Sequence, residues 1–308
     1  MVKFLNIIIK FYRQWRKFKV KPLGLICVFI LAIVGIVLLV PLGAISQTSY
    51  EPAHLTQLLS TNSCSLCNLV GANLRGAPLM GADLTSAKLV NANLEGAVLR
   101  AANLSGAQLM GANLSTADLR GAELSGCNFN GADLTRSQLV GANVFLIDLG
   151  NADLQEANLS GIDMSQVYLE GANLGSANLR GTNLTLAQLV GANLRSANLN
   201  GANLTSANMK TANLNNADLR GAEITNVTLS DADLRGANLA GANLEKANLE
   251  NADLSGADLR GVNLGIAILS GAKFINANLT GANLSDARII NVDFCNATMP
   301  DGKKGRCS

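Results

Sequence analysis

Between Leu69 and Met299 an apolar residue stands at every fifth position, at all 47 places reached in steps of five, with no insertion. Most are Leu. The others are Phe129, Val144, Met164, Met209, Ile224, Phe274, Ile289, Phe294 and Met299. No single regular element accepts this spacing. Five residues turn an α-helix by about 500°, which scatters successive leucines around its circumference. A strand alternates its side chains with period two, so an odd spacing sends successive leucines to opposite faces. The spacing is satisfied by a chain that turns a corner every five residues and points one large apolar side chain inward from each short side. A period sustained over so many steps makes a repeat architecture.

Each five-residue unit holds a second inward position. Two residues before each large apolar centre stands Ala, as at Ala72, Ala82 and Ala92, or another small or medium residue: Cys127, Ser137, Ile147, Ile162, Val167, Thr182, Val227, Val262 or Val292. Asn or Asp lies between the two, as at Asn73, Asp83 and Asn93. Gly, Ser, Thr or Asn often occupies the corner (Gly71, Gly76, Gly81, Ser86), the residue types that tolerate tight turns.

The resulting pattern, A-(N/D)-L-x-x, resembles that of the pentapeptide-repeat family from Cys67 to Met299, roughly three quarters of the chain. The resemblance implies an all-β fold, a right-handed quadrilateral β-helix with four pentapeptides, about 20 residues, in each coil. About twelve coils at roughly 4.8 Å per stacked strand give a rod about 55 Å long. A single coil cannot bury its own leucines, so stability comes from stacking. Each buried Leu is worth about 1.5–3 kcal/mol.

The net charge of +2 averages two unlike parts. Residues 1–21 carry Lys3, Lys10, Arg13, Arg16, Lys17, Lys19 and Lys21 and no acid, whereas the remainder is acidic on balance. Phe4, Ile8, Phe11, Trp15 and Phe18 recur at alternating spacings of four and three, with Lys3, Lys10 and Lys17 on another side. That pattern predicts a basic amphipathic segment lying on an anionic inner leaflet; a disordered basic tail that only sets topology is the competing reading. The uncharged run LGLICVFILAIVGIVLLVPLGAI follows, long enough to span about 30 Å of hydrocarbon. Residues 22–45 are therefore expected to form a transmembrane helix. Basic residues before it place the N-terminus in the cytoplasm and the repeats in the periplasm or thylakoid lumen. Cleavage as a signal peptide at Ala44-Ile45-Ser46, releasing a soluble lumenal protein, is the competing reading. The expected organisation is a cytoplasmic basic segment (1–21), the span (22–45), a linker and cap helix (46–66), the repeats (67–299) and a C-terminal cap (300–308).

A β-helix ends in open edges that invite aggregation unless covered. Pro52 to Ser60 reads as a short helix whose Leu55, Leu58 and Leu59 lid the first coil, and the tail CNATMPDGKKGRCS closes the last. Cys64 and Cys67 flank the first coil and Cys295 and Cys307 the last. In an oxidising compartment two local disulfides are expected, Cys64–Cys67 and Cys295–Cys307. A redox Cys-x-x-Cys motif lacks its βαβ setting here. A four-cysteine zinc site is incompatible with a rod that separates the pairs. Cys127 sits in a small inward slot as a buried thiol. The cap sequences LLSTNSCSLCNL and FCNATMPDG resemble those of cyanobacterial pentapeptide-repeat proteins, which implies a cyanobacterial envelope or thylakoid setting.

No catalytic constellation is legible. The single histidine, His54, falls in the cap helix, and acid pairs such as Asp231 and Asp233 are ordinary corner charges. The expectation is a non-enzyme with no cofactor, no metal and no small-molecule or nucleic-acid ligand: a membrane-anchored interaction or scaffold module with a protein partner or a second copy of itself. A DNA-mimic topoisomerase inhibitor, the other role the resemblance suggests, needs a dense acidic surface. The repeats hold 14 basic residues against 20 acidic ones, too even a balance. Candidate contact residues come from columns 20 apart. Arg100, Arg120, Arg180, Arg220 and Arg260 share one column as an arginine ridge. On another, Phe145 interrupts a Ser/Thr ladder, with Leu146, Leu186 and Tyr168 near the same corner. Exposed apolar groups clustered on a polar rod are expected to mark a partner surface, the competing reading being a local bulge that buries them.

Overall fold

The structure, a computed structural model, describes residues 50–307. The basic segment and the apolar run 22–45 lie outside the described residues. Among the described residues no helix is long and apolar enough to cross a membrane.

From Ser63 onward, residues 20 apart pair as parallel bridges: Ser63 with Asp83, Asn68 with Lys88, Asn73 with Asn93, and so on to Asn278 with Thr298. Five residues per side and 20 per coil make four sides. The ladder starts one pentapeptide earlier than Cys67, so Cys64 fills a large inward slot and Cys67 the small one that follows. The corner is a tight turn in the repeats, with a looser bend at Ile290–Asn291 in the last coil. The Ala72 N–H donates to the Leu69 carbonyl at 3.0 Å, and Gly71, the third residue of that turn, has φ +71°. Positive φ at the third turn position is the type II requirement, which explains the frequency of Gly and Asn there. Before each corner, the Asn or Asp side chain accepts the N–H two residues on, as Asn93 Oδ1 does from Glu95 at 3.0 Å. The Asn and Asp columns also bond along the rod, for example Asn193 Nδ2 to Asn173 Oδ1 at 2.8 Å. Their frequency therefore has a structural cause.

The core is the stack of inward slots. All large slots from Leu69 to Leu279 are buried, with the Ala column between them. Two polar residues enter it, Ser137 and Thr182. Each gives its hydroxyl to a backbone carbonyl, Leu134 O at 2.7 Å and Leu159 O at 2.8 Å. That satisfies a group whose burial is otherwise costly. The last coil departs from the predicted register. Ile289 occupies a large-slot position yet is 47% exposed, and Leu284, Phe294 and Met299 are only partly buried. A slot closes only when it is covered along the rod axis on both sides, as α1 covers the first coil, and this coil has no further coil and only the short tail beyond it.

Both ends are covered. At the first coil sits α1 (Pro52–Thr61), with Pro in its first turn and Asn62 in the left-handed conformation closing it. Leu58 is fully buried over the core and Leu55 packs against it, whereas Leu59 faces solvent, so two of the three predicted lid leucines act as the lid. His54 Nδ1 accepts the Asn68 N–H at 3.1 Å, which ties α1 to the first coil. Pro78 stands in the first coil, where its missing N–H deprives no preceding coil of a partner. At the far end the tail folds back, with Lys304 antiparallel to Thr298 and Phe294 stacked on Phe274 at 5.3 Å. Gly305 presses against the Phe294 carbonyl, where a Cβ has no room. Disulfides join Cys64 to Cys67 and Cys295 to Cys307.

Candidate functional site

Outward positions of a rod are solvated by default, so a site must stand out against the regular ladder. One does. Elsewhere between the two caps the coil-to-coil amides are paired, save at the Pro78 corner, where the Leu79 N–H turns to Ala77 O. Among the described residues, the amides of Gly141, Val144, Leu146 and Asp163 lack ladder partners and the Asn143–Asp163 bridge is missing, while the neighbouring Asp148–Tyr168 bridge persists. One coil earlier the equivalent bonds are intact (Leu124 N–H to Asn143 O, 2.8 Å; Gly126 N–H to Phe145 O, 2.9 Å). They are intact one coil later as well (Met164 N–H to Asn183 O, 2.7 Å; Gln166 N–H to Thr185 O, 2.9 Å).

The interior differs here as well. Ile147 and Val167 stack directly in the small-slot column that Cys127 and Ala187 continue, and Ile162 stands above Ala142 in another. Two β-branched side chains stack where two alanines usually meet, and a close-packed interior relieves added volume by shifting backbone, so this stack is the expected cause of the gap beside it. Val227, alone between Ala207 and Ala247 in the same column, leaves its ladder intact: the Thr228 N–H reaches Ala207 O at 3.0 Å. Replacing Ile147 and Val167 together by Ala is expected to close the gap. In hydrogen exchange, the amides of Val144, Leu146 and Asp163 should exchange faster than their counterparts one coil away in the natural chain, and slow by at least tenfold in the double variant. Unchanged rates would assign the gap to the Phe145 corner itself.

The side where the ladder opens carries the predicted apolar corner. Phe145 and Leu146 are 59% and 57% exposed, Tyr168 51% and Leu186 48%. Leu146 and Tyr168, with Asp148, Glu170 and Asn130, line a shallow open depression of about 420 Å³. Leu186 lies two coils along the column of Leu146. Both sit at the corner residue with positive φ, 55° for Leu146 and 60° for Leu186. A side chain larger than Gly costs roughly 1 kcal/mol or more in that conformation. Burial offers no compensation for either residue. Leu66 (φ 60°) and Ile266 (φ 58°) are exposed corner residues of the same kind. The sequence reading does not single them out, although their numbers differ from 146 by multiples of 20.

The arginine column is present but largely neutralised. Arg120, Arg220 and Arg260 fold back onto Asp118, Asp218 and Asp258 two residues earlier, at 2.6–2.7 Å, and Arg100 also reaches Asp118. Hydrogen bonding from Arg220 and Arg260 holds the Asp218 and Asp258 carboxyls below the usual carboxylate range. Arg180 makes no ion pair among the described residues; its backbone N–H bonds Asn178 Oδ1. A Asp-Leu-Arg repeat thus forms its own ion pair rather than a cationic ridge. Cys127 donates its thiol to Leu104 O at 2.9 Å, and burial pushes its pKa up to about 12, which makes it a poor nucleophile. Among the described residues no group of three or more His, Cys, Asp or Glu is placed to hold a metal ion.

The family model for pentapeptide repeats matches in eight copies over residues 77–145, 147–185, 187–226, 229–265 and 267–299, more than half of the chain. Among solved structures, HetL from the cyanobacterium Nostoc sp. strain PCC 7120, a pentapeptide repeat protein involved in heterocyst differentiation regulation, is 38% identical. The match covers 68% of this chain and 91% of HetL, with a TM-score of 0.48. Rfr23 from the cyanobacterium Cyanothece 51142 is also 38% identical, over 31% of this chain and 58% of its own, with a TM-score of 0.24. QnrB1, a plasmid-mediated fluoroquinolone resistance protein, is 18% identical over 61% of this chain and 85% of its own, with a TM-score of 0.34. No curated protein matches the chain. Five-residue register, four-sided coil and family match agree: the chain belongs to the pentapeptide-repeat family, and its repeats form that family's right-handed quadrilateral β-helix.

Proposed function

We propose that the protein is a non-catalytic interaction module, a β-helical rod held at a membrane by residues 22–45 and exposed outside the cytoplasm. The observation that carries the interaction reading is the clustering of four exposed apolar residues, Phe145, Leu146, Tyr168 and Leu186, at one corner of the rod. Interfaces draw most of their energy from a few large side chains of this kind. The reading of place rests on the sequence, with basic residues before the apolar run. It is supported by a disulfide at each end of the rod, a feature of oxidising compartments.

In membrane vesicles with the cytoplasmic face outward, added protease is expected to remove the first 21 residues and spare the rod. A digested rod overturns the orientation. A spared rod that washes free of the membrane and lacks residues 1–45 replaces the anchor by a cleaved signal. Changing Phe145, Leu146 and Leu186 together to Ser is expected to leave the rod folded and to reduce recovery of cross-linked membrane partners by at least tenfold. Changing Arg100, Arg120 and Arg180 to Gln is the control, expected to leave that recovery intact. The opposite outcome for the two variants moves the working surface to the arginine column.

A further inference from the structure

Every repeat places its corner residue at positive φ, and bulky apolar side chains occupy that position at four places only among the described residues: Leu66, Leu146, Leu186 and Ile266. All four fall on the same one of the four corner columns, since their numbers differ by multiples of 20 and bridged residues lie 20 apart. All four are exposed. Their spacing is symmetric. Counted from Gln166, Leu146 and Leu186 lie one coil to either side, and Leu66 and Ile266 lie five coils to either side.

We propose that this corner column is a self-complementary seam through which two copies of the protein pair antiparallel. A two-fold axis crossing the column at Gln166, perpendicular to the rod and tangent to the corner, lays one column on the other. It sets Leu146 against Leu186 of the second copy and Leu66 against Ile266 of the second copy, each pair twice. Closed dimers use one patch on both partners in this reciprocal way. Tyr168, on the same coil as Gln166, meets its own copy near the axis.

The remaining column residues favour this orientation. Antiparallel pairing sets Gly106 against Asn226, Gly126 against Ser206 and Ser86 against Lys246, small against larger and no like charges opposed. The parallel alternative matches the four apolar residues equally well but puts Lys246 against Lys246 and Asp286 against Asp286, and like charges in direct opposition repel. It also leaves Gly106 and Gly126 facing their own copies across empty space. The apolar contacts span ten coils, about 48 Å at the usual strand spacing.

The proposal deepens the interaction reading above and rests on it, with the partner now a second copy of this chain. It is tested in detergent on the full chain with Cys27 changed to Ser, by mixing two single variants, Ser86→Cys and Lys246→Cys, both at outward corners. Mild oxidation is expected to give a mixed Ser86→Cys to Lys246→Cys cross-link at least tenfold in excess of either self-cross-link. Adding Leu146→Ser and Leu186→Ser should reduce it at least tenfold, with the thermal transition retained. Sedimentation of the uncross-linked chain should show a dimer. A dominant Ser86→Cys self-cross-link overturns the orientation. A monomer with no cross-link overturns self-association; continued loss of membrane partners by the Phe145, Leu146 and Leu186 variant then leaves the interaction reading standing with a different partner.

Discussion

Leu204→Lys is expected to destabilise the rod by more than about 3 kcal/mol, whereas Thr205→Lys, one residue on, costs about 1 kcal/mol or less. Leu204 is fully buried between Leu184 and Ile224 in the same inward column. The polar residues of the core are Ser137 and Thr182, both on other coils and neither acidic, so an ammonium placed there meets no carboxylate. A buried, unpaired charge costs several kcal/mol or gives up its proton. Thr205 points outward. It loses a hydrogen bond to Asn203 Oδ1 and a 3.3 Å contact with Thr225, but Asn203 still accepts the residue's own N–H. Thermal unfolding followed by circular dichroism separates the two variants, and equal shifts would mean that the inward register is wrong. Because stacked repeats unfold from a break outward, hydrogen exchange should show the coils on both sides of residue 204 opening first.

Selective loss of the Cys295–Cys307 bridge should cost more than loss of Cys64–Cys67. In the chain-entropy account a bridge restrains the unfolded chain in proportion to the logarithm of the loop it closes. The sequence separations are 12 and 3, which give about 3 and about 2 kcal/mol respectively. The environments widen the difference. At the first coil Leu58 and the His54 contact with Asn68 hold the cap independently of the disulfide. At the last coil the slots are already half open, and the tail that covers them is held by a few backbone bonds, such as Gly305 N–H to Ala297 O at 2.8 Å. Changing Cys295 and Cys307 to Ser is therefore expected to expose residues 284–307 to rapid exchange and limited proteolysis and to promote aggregation through the uncovered edge. The Cys64 and Cys67 variant should retain the first coil. Equal fraying at both ends would show that the disulfides, not the packing beneath them, decide cap stability.

Most of the fold was legible because its cause is local and repeated. An apolar residue at every fifth position has no helical or strand solution, so one stretch such as GANLTSANMKTANLNNADLRGAEI already demands a coil, and the Leu and Ala slots it names are the buried ones. The pairing of the four cap cysteines was likewise readable from their positions at the two ends. The cap leucines were readable in part: Leu55 and Leu58 face the core, while Leu59 does not, because helix periodicity gives a face and not which edge of it meets the coil. Ile289 shows the limit of the register, which assigns an inward direction, whereas burial needs a cover on each side, a coil or a cap such as α1.

The candidate surface divides the same way. Phe145, Leu146, Tyr168 and Leu186 stood out in the sequence as apolar residues outside the inward slots. Only the folded rod showed that they gather where the ladder opens, beside the place where Ile147 stacks on Val167. Five-residue periodicity says nothing about neighbours 20 residues away until the coil brings them within one strand spacing of each other. The arginines make the converse point. Their common column was visible in the sequence, but whether a charge is free depends on where its side chain turns, and the structure turns Arg120, Arg220 and Arg260 back onto the aspartates of their own repeats. The sequence alone determined which residues point inward, because that choice repeats every five residues and is driven by burial. The tertiary structure decided which outward residues act together, because contact along the rod is set by stacking across coils.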